Sequence, residues 1–250
     1  MSNVMRRLRM FAGPNGSGKS SVVRRFSREY TAAGLFSLHR YINADDLLVE
    51  LNTGRPVPLS RLDVSLKTDE LRSAMLAGGR ITAEQIERSD LRVETGRILT
   101  TAGACDSYFA AALADCLRES LLASRVSFSF ETVMSHPNKV DFLRRALASG
   151  YRTYTYFVAT NDPKINIHRI ANRKAEGGHD VPSDKVVERY RRCLELLASA
   201  LRYSTRAFIF DNSGEEPTLI AEWTPERVLT PVVPERSLPG WYAEWVKQQP

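Results

Sequence analysis

Glycines, a lysine and a serine follow a short apolar run near the start of the sequence. Residues 13–20 read GPNGSGKS and fit the pattern G-x-x-x-x-G-K-[ST]. Glycines let successive backbone N–H groups turn toward one phosphate, the lysine reaches the β- and γ-oxygens, and the serine hydroxyl can bind Mg²⁺. We therefore predict a site for ATP or GTP with Mg²⁺, in a glycine loop whose binding residues are Gly13, Pro14, Asn15, Gly16, Ser17, Gly18, Lys19, Ser20 and Ser21.

The glycine loop alone does not decide the fate of the γ-phosphate. The sequence has no L-S-G-G-Q segment of a transporter ATPase and no N-K-x-D segment of a GTPase. An apolar strand ending in aspartate, as in motor ATPases, occurs only late in the chain, as AFIFD ending at Asp211. Elimination favours a small-molecule kinase. A nucleotide-dependent switch or a nucleic-acid-associated ATPase remains the alternative.

A kinase needs a carboxylate that accepts the proton of the acceptor hydroxyl. Such groups converge with ligands at the carboxyl ends of parallel strands, and Asp45 and Asp46 directly follow the second predicted strand. We expect Asp45 to be the catalytic base and Asp46 to be its rival or a substrate ligand. The alternative is that both aspartates only cap the helix that follows.

A third carboxylate, Glu131, ends the alternating run Phe128, Ser129 and Phe130. Alternation directs Glu131 to the face opposite the two phenylalanines, at the carboxyl end of the strand. Glu131 and its neighbour Thr132 are therefore predicted to bind the acceptor, or Glu131 to help hold Mg²⁺ through water. A solvated strand end is the alternative.

Arginines cluster in the region between residues 169 and 192. Arg169 and Arg173 are four residues apart on one predicted helix, Arg189 follows on the next helix, and Gly177 and Gly178 lie between the two helices. Guanidinium groups fit phosphate oxygens, so we predict a hinged lid that stabilises the transferring phosphoryl group through these arginines. Solvated helix faces are the alternative.

The elements that position these residues alternate in type. Strands are predicted at residues 8–12, 38–43, 126–132, 152–159 and 207–213, with helices between them, including 108–124, 138–149 and 163–175. This order predicts an α/β fold of the P-loop NTPase, kinase type, with a doubly wound, five-stranded, mainly parallel sheet.

Two segments do not follow this alternation. Residues 53–104 are predicted as a mostly helical insertion, in which Thr82 and Gln85 form a helix-capping pair. The kinase domain is predicted to span residues 1–214. Residues 215–250, rich in proline and containing every tryptophan of the chain, form a C-terminal arm packed on that domain or a surface for a partner.

Composition limits the partners and the compartment. A net charge of +6 suits anionic ligands, but without a basic run, an aromatic-interleaved basic stripe or a zinc-finger spacing it does not favour nucleic acid. The three cysteines form no C-x-x-C pair, so neither a disulfide framework nor a zinc cluster is expected. The sequence has no run long and apolar enough for a membrane span and no cleavable hydrophobic leader, which predicts a cytoplasmic protein.

Together these segments resemble the zeta toxin family of P-loop kinases. The matching segments occur in the family's order over most of residues 8–213, and they read GPNGSGKS, INADD, SFSFETVMS, HRIANRKAEGGHDVPSDKVVERYRR and FIFDNS. The resemblance implies a kinase that phosphorylates the sugar of UDP-N-acetylglucosamine or a related UDP-sugar with ATP or GTP, and a small antitoxin as a protein partner.

The resemblance also implies roles for single residues. It makes Asp45 the base, Glu131 a substrate-binding carboxylate and Arg173 the first of two lid arginines, while Lys19 and Ser20 keep their phosphate and Mg²⁺ roles. Where the family has its second lid arginine, this sequence has the segment GGHDVP, so His179 or Arg189 would take the role of that arginine. Because residues 53–104 exceed the corresponding stretch of compact relatives, a nucleoside, an antibiotic or a nicotinamide nucleotide remains an alternative acceptor.

Overall fold

The computed structural model describes residues 5–29, 36–176 and 181–246. The strands are β1 (Arg7–Ala12), β2 (Arg40–Ile42), β3 (Val57–Pro58), β4 (Arg92–Glu94), β5 (Arg97–Leu99), β6 (Phe128–Thr132), β7 (Arg152–Ala159), β8 (Arg206–Asp211), β9 (Thr218–Trp223) and β10 (Leu229–Pro231). The helices are α1 (Lys19–Glu29), α2 (Ala44–Asn52), α3 (Thr68–Ala77), α4 (Ala83–Ser89), α5 (Ser107–Ala123), α6 (Pro137–Ala148), α7 (Pro163–Ala175), α8 (Ser183–Glu195), α9 (Leu197–Arg202) and α10 (Gly240–Trp245).

The chain divides into two compact units. The first comprises Met1–Leu38 and Glu131–Pro250, and the second comprises His39–Phe130. In the first unit β1 pairs in parallel with β7, and β7 pairs in parallel with β8. β9 then joins β8, and β10 joins β9, in antiparallel orientation.

The first unit buries both faces of its central strands. Leu8, Met10 and Phe11 of β1 are fully buried, which explains why this strand reads as a continuous apolar run rather than an alternating one. On one face Phe11 stacks on Tyr156 of β7, with ring centroids 4.6 Å apart, and Phe26 of α1 packs edge-on against the same tyrosine. This core fixes the end of β1 and the start of α1, between which the glycine loop lies.

The second unit joins a parallel strand pair to the inserted segment. β2 pairs in parallel with β6, and α2 packs against α5. The predicted Thr82 and Gln85 capping pair forms, with the Gln85 backbone N–H donating to Thr82 Oγ1 over 3.3 Å. This unit also holds an antiparallel sheet in the order β3-β5-β4, which the sequence analysis did not predict.

The five predicted strands all form, and the pairings among them within each unit are parallel. The predicted α/β class with a mainly parallel sheet is confirmed. Beyond residue 214 the chain adds β9, β10 and α10, and the boundaries proposed for the kinase domain and its arm stay predictions. Within the described ranges, no helix has both the length and the apolar character needed to cross a membrane.

Candidate active site

The glycine loop connects the buried end of β1 to the first turn of α1. Its glycines adopt positive φ angles of +148° at Gly13, +71° at Gly16 and +92° at Gly18, which side chains disfavour. The Lys19 ammonium donates to the carbonyl oxygens of Gly13, at 3.1 Å, and Pro14, at 2.8 Å. The lysine is thus folded back across the loop, and its position in the first turn of α1 is the one that the motif requires.

The glycine loop also lacks space for side chains. A Cβ atom at any of three glycines would lie closer to a neighbouring atom than packing allows: 2.1 Å from Val158 O at Gly13, 2.6 Å from Asn166 O at Gly16, and 2.0 Å from Asn212 Nδ2 at Gly18. Gly13 and Gly16 are therefore required by contact with backbone oxygens as well as by backbone conformation, whereas at Gly18 the Asn212 side chain would have to move.

Two buried asparagines brace the glycine loop from neighbouring elements. Asn166, in the first turn of α7, donates from Nδ2 to Asn15 O over 2.7 Å. Asn212, which directly follows β8, donates from Nδ2 to Ser17 O over 2.8 Å. The sequence alone does not single out either residue. The available signal was position alone, because both follow the carboxyl ends of parallel strands.

Glu131 lies beside the serine of the glycine loop. Its side chain is buried, with the residue 8% exposed, and its Oε2 accepts a hydrogen bond of 2.9 Å from Ser20 Oγ. Carboxylate and hydroxyl oxygens are the ligands that Mg²⁺ prefers, so this pair fits a magnesium site near the phosphates. The next residue, Thr132, is the last of β6 and is half-buried.

The predicted lid arginines occupy three different positions. Arg189 of α8 donates to Asn15 Oδ1 over 3.3 Å, so it contacts the glycine loop directly. Arg169 of α7 donates instead to the carbonyl oxygens of Asn212, at 2.8 Å, and Gly214, at 2.9 Å. Arg173 is exposed in the last turn of α7. The remaining lid residues named above, Gly177, Gly178 and His179, lie outside the described residues.

A buried thiol on α8 lies in the electrostatic field of the same site. Burial raises the pKa of Cys193 to about 12, although the positive charges of Lys19 and Arg189 oppose this shift. The thiol therefore stays protonated at neutral pH, and a protonated thiol is a poor nucleophile. Chemistry at the glycine loop is left to its oxygen and nitrogen groups.

The second unit contains the two candidate aspartates, in the first turn of α2. Asn43 caps this helix, since its side-chain oxygen accepts from the Asp45 backbone N–H over 2.9 Å. Neither Asp45 nor Asp46 is thus needed as the cap, and both are exposed. Their negative charges still stabilise the N-terminal turn of α2, so a catalytic role for either aspartate stays a prediction.

A cavity of about 480 Å³ opens beside α2 within the second unit. Its size lies in the range of small-molecule sites. Asp46 is part of its wall, and Glu50 in the same wall accepts a two-pronged ion pair from Arg61, with distances of 2.8 and 3.1 Å. The sequence alone does not single out the rest of the polar lining, which consists of His39, Tyr41, Asn43, Glu50, Arg55 and Arg61.

A braced glycine loop between a buried parallel strand and a helix is the geometry of a P-loop nucleotide-binding fold. The zeta toxin family model matches residues 99–217, which confirms the resemblance to that family of P-loop kinases indicated by the motifs.

Solved structures with a similar fold include two of the AvrRxo1-ORF1:AvrRxo1-ORF2 complex. The complex with sulphate ions aligns at a TM-score of 0.55 and 11% identity, over 97% of this chain and 64% of that chain. The complex with ATP aligns at a TM-score of 0.53 and 12% identity, over 92% of this chain and 61% of that chain. This chain therefore spans less than two thirds of the length of either neighbour. No curated protein matches the chain by sequence.

Proposed function

We propose that this chain is a kinase that transfers the γ-phosphate of ATP to a hydroxyl group of a UDP-sugar. The observation that carries the proposal is the hydrogen bond between Ser20 Oγ and the buried Glu131 carboxylate, beside the braced glycine loop. A P-loop hydroxyl and an adjacent carboxylate are the oxygen pair that phosphoryl transfer uses to hold Mg²⁺ at the nucleotide. GTP is the alternative donor, and we place the reaction in the cytoplasm.

The residues of the first unit have the following roles in this proposal. Lys19 exchanges the Gly13 and Pro14 carbonyls for the β- and γ-oxygens, while backbone N–H groups of the loop surround the β-phosphate. Mg²⁺, when bound, neutralises charge on the phosphates. Glu131 accepts the hydrogen bond of the Ser20 hydroxyl and so fixes the orientation of the Ser20 Oγ lone pairs. Arg173, Arg189 and Arg169 supply positive charge against the transferring group.

The acceptor side of the proposal involves α2 and the cavity beside it. Asp45 accepts the proton of the attacking hydroxyl, and Asp46 contacts the sugar. Arg55 lines the 480 Å³ cavity, and a guanidinium group pairs well with a diphosphate, whereas Arg61 in the same wall is paired with Glu50. The cavity volume is large enough for an acceptor of nucleotide-sugar size. The choice of a UDP-sugar over a nucleoside or an antibiotic comes from the family resemblance. As the family resemblance implies, a small antitoxin protein is the proposed partner.

A panel of acceptors tests the substrate class. The purified protein is incubated with ATP and Mg²⁺ and with UDP-sugars, nucleosides, aminoglycosides or nicotinamide nucleotides, and the products are separated by mass spectrometry. We expect a UDP-sugar to gain one phosphoryl group. A phosphorylated product from another class would change the assigned acceptor but support the assignment as a kinase. Release of ADP with every acceptor unmodified would overturn the kinase assignment and favour a nucleotide-dependent switch or an ATPase.

Glu131→Gln should raise the Mg²⁺ concentration for half-maximal activity by about 10- to 100-fold, the usual effect of losing a group that orients a metal ligand. Glutamine keeps the shape of the side chain but removes its charge, so ATP binding measured with EDTA should be unchanged. The measurement is a Mg²⁺ titration of activity, with the exposed Glu87→Gln on α4 as the matched control. Equal Mg²⁺ dependence in both variants would exclude Glu131 from the metal site.

A further inference from the structure

The C-terminal helix α10 is attached to the end of β8 through one tryptophan. Trp241 is 3% exposed, and its indole Nε1 donates to Asp211 Oδ1 over 3.0 Å. Its ring packs at a tilt against Phe157 of β7, with ring centroids 6.2 Å apart. All three residues belong to the first unit, which also contains the glycine loop.

The Asp211 carboxylate organises the β8–β9 turn, which we define as residues 211–214. Ser213 donates to it twice, from Oγ to Oδ1 over 2.9 Å and from the backbone N–H to Oδ2 over 3.3 Å. Between these two residues lies Asn212, whose backbone N–H is held by Ala159 O at 2.8 Å. The carboxylate thus fixes the chain on both sides of the asparagine that braces the glycine loop.

Small movements of Asn212 would be transmitted to the glycine loop. Its Nδ2 donates to Ser17 O, and it occupies the space where a Cβ of Gly18 would stand, 2.0 Å away. Asn212 is 4% exposed, so water does not readily replace this hydrogen bond. On the other side of the β8–β9 turn Arg169 holds the Asn212 and Gly214 carbonyls. The turn is therefore held by Arg169 from α7 and by Trp241 from α10.

We propose that Trp241 is a positioning residue of the nucleotide site, which acts through Asp211 and Asn212 on the carbonyl of Ser17. This inference rests on the proposed binding of ATP by the glycine loop. It assigns the C-terminal segment a part in nucleotide affinity: α10 secures the turn, the turn secures Asn212, and Asn212 secures the loop conformation that presents backbone N–H groups to phosphate.

Trp241→Phe should weaken ATP binding roughly fivefold, the effect of losing one hydrogen bond to a carboxylate whose influence reaches the loop. Phenylalanine keeps an aromatic ring against Phe157, which limits the loss of packing. Trp223→Phe is the matched control, because the Trp223 indole also donates one hydrogen bond, to Ser204 O over 3.2 Å, without a contact to the β8–β9 turn. The measurement is the Kd of a fluorescent ATP analogue, alongside the thermal unfolding midpoint of each variant.

A double-mutant cycle with Asn212→Ala separates positioning from general stability. If Trp241 acts through Asn212, the single change Asn212→Ala weakens ATP binding, and adding Trp241→Phe to it has little further effect. In the kinase assay the KM for ATP should rise, while the KM for the acceptor stays the same.

The outcomes distinguish this inference from the proposed function. A wild-type protein that binds no nucleotide would refute the proposed function itself. Wild-type ATP binding, with Trp241→Phe matching Trp223→Phe in Kd, would overturn only the role of Trp241. Independent, additive effects of Trp241→Phe and Asn212→Ala would likewise overturn the route through Asn212.

Discussion

Replacing Asp45 with asparagine should lower kcat for phosphoryl transfer by about 10²- to 10⁴-fold, the typical loss when a general base is removed. The amide keeps the size of the carboxylate but does not accept the proton of the acceptor hydroxyl. Because Asn43 rather than Asp45 caps α2, the helix should remain folded. The measurement is kcat with ATP and the phosphorylated acceptor class, together with the Kd for ATP, which we expect to be unchanged.

Asp46→Asn is the matched control, one residue further in the same helical turn. Asp46 lines the cavity, so its loss should raise the KM for the acceptor and leave kcat close to that of the wild type. If Asp46→Asn abolishes turnover and Asp45→Asn does not, the two roles are exchanged. If both variants retain full kcat, the base is not in this segment.

Gly16→Ala should lower kcat/KM for ATP by about 10²-fold, as expected when a displacement near 1 Å disturbs a phosphate-positioning group. The added Cβ would lie 2.6 Å from the backbone oxygen of Asn166, an atom fixed within α7. The glycine loop must therefore move away, which carries its N–H groups with it. ATP binding and steady-state kinetics measure the effect.

Gly79→Ala provides a control for the backbone cost. Gly79 has nearly the same conformation, with φ at +67° against +71° for Gly16, but no atom lies within 4 Å of its Cβ position. Both variants place an alanine in the left-handed backbone conformation, which lowers the free energy of unfolding by about 1–2 kcal/mol. Both should therefore unfold more easily than the wild type. Only Gly16→Ala should lose ATP affinity. If Gly79→Ala loses it equally, the effect reflects global stability rather than contact at the loop.

The sequence predicted those parts of the fold and site whose signals are local. The glycine loop, the strands around it and the helix Pro163–Ala175 follow from short-range patterns, and this helix has an Asp162 cap and a proline in its first turn. The capping pair Thr82 and Gln85 is local as well. Each of these features is determined by residues that lie close together in the sequence, within a single helical turn or a single strand.

The contacts that brace the site were not predictable in this way. Asn166 and Asn212 reach the glycine loop from 151 and 195 residues away along the chain, and an isolated asparagine carries no signal of such a contact. The strands β3, β4 and β5 are two or three residues long, too short for a period-two pattern to be seen. The cavity beside α2 likewise combines polar and apolar residues from separate segments between His39 and Leu117, and no local pattern shows that they converge.

The fate of the γ-phosphate tests the central claim most directly. ATP labelled on its γ-phosphate is incubated with the wild-type protein, Mg²⁺ and a UDP-sugar, and the label is followed into the sugar or into inorganic phosphate. We predict that the label appears on the UDP-sugar with the wild-type protein and fails to appear with Asp45→Asn. Label found only in inorganic phosphate, whatever acceptor is supplied, would contradict the assignment of this chain as a kinase.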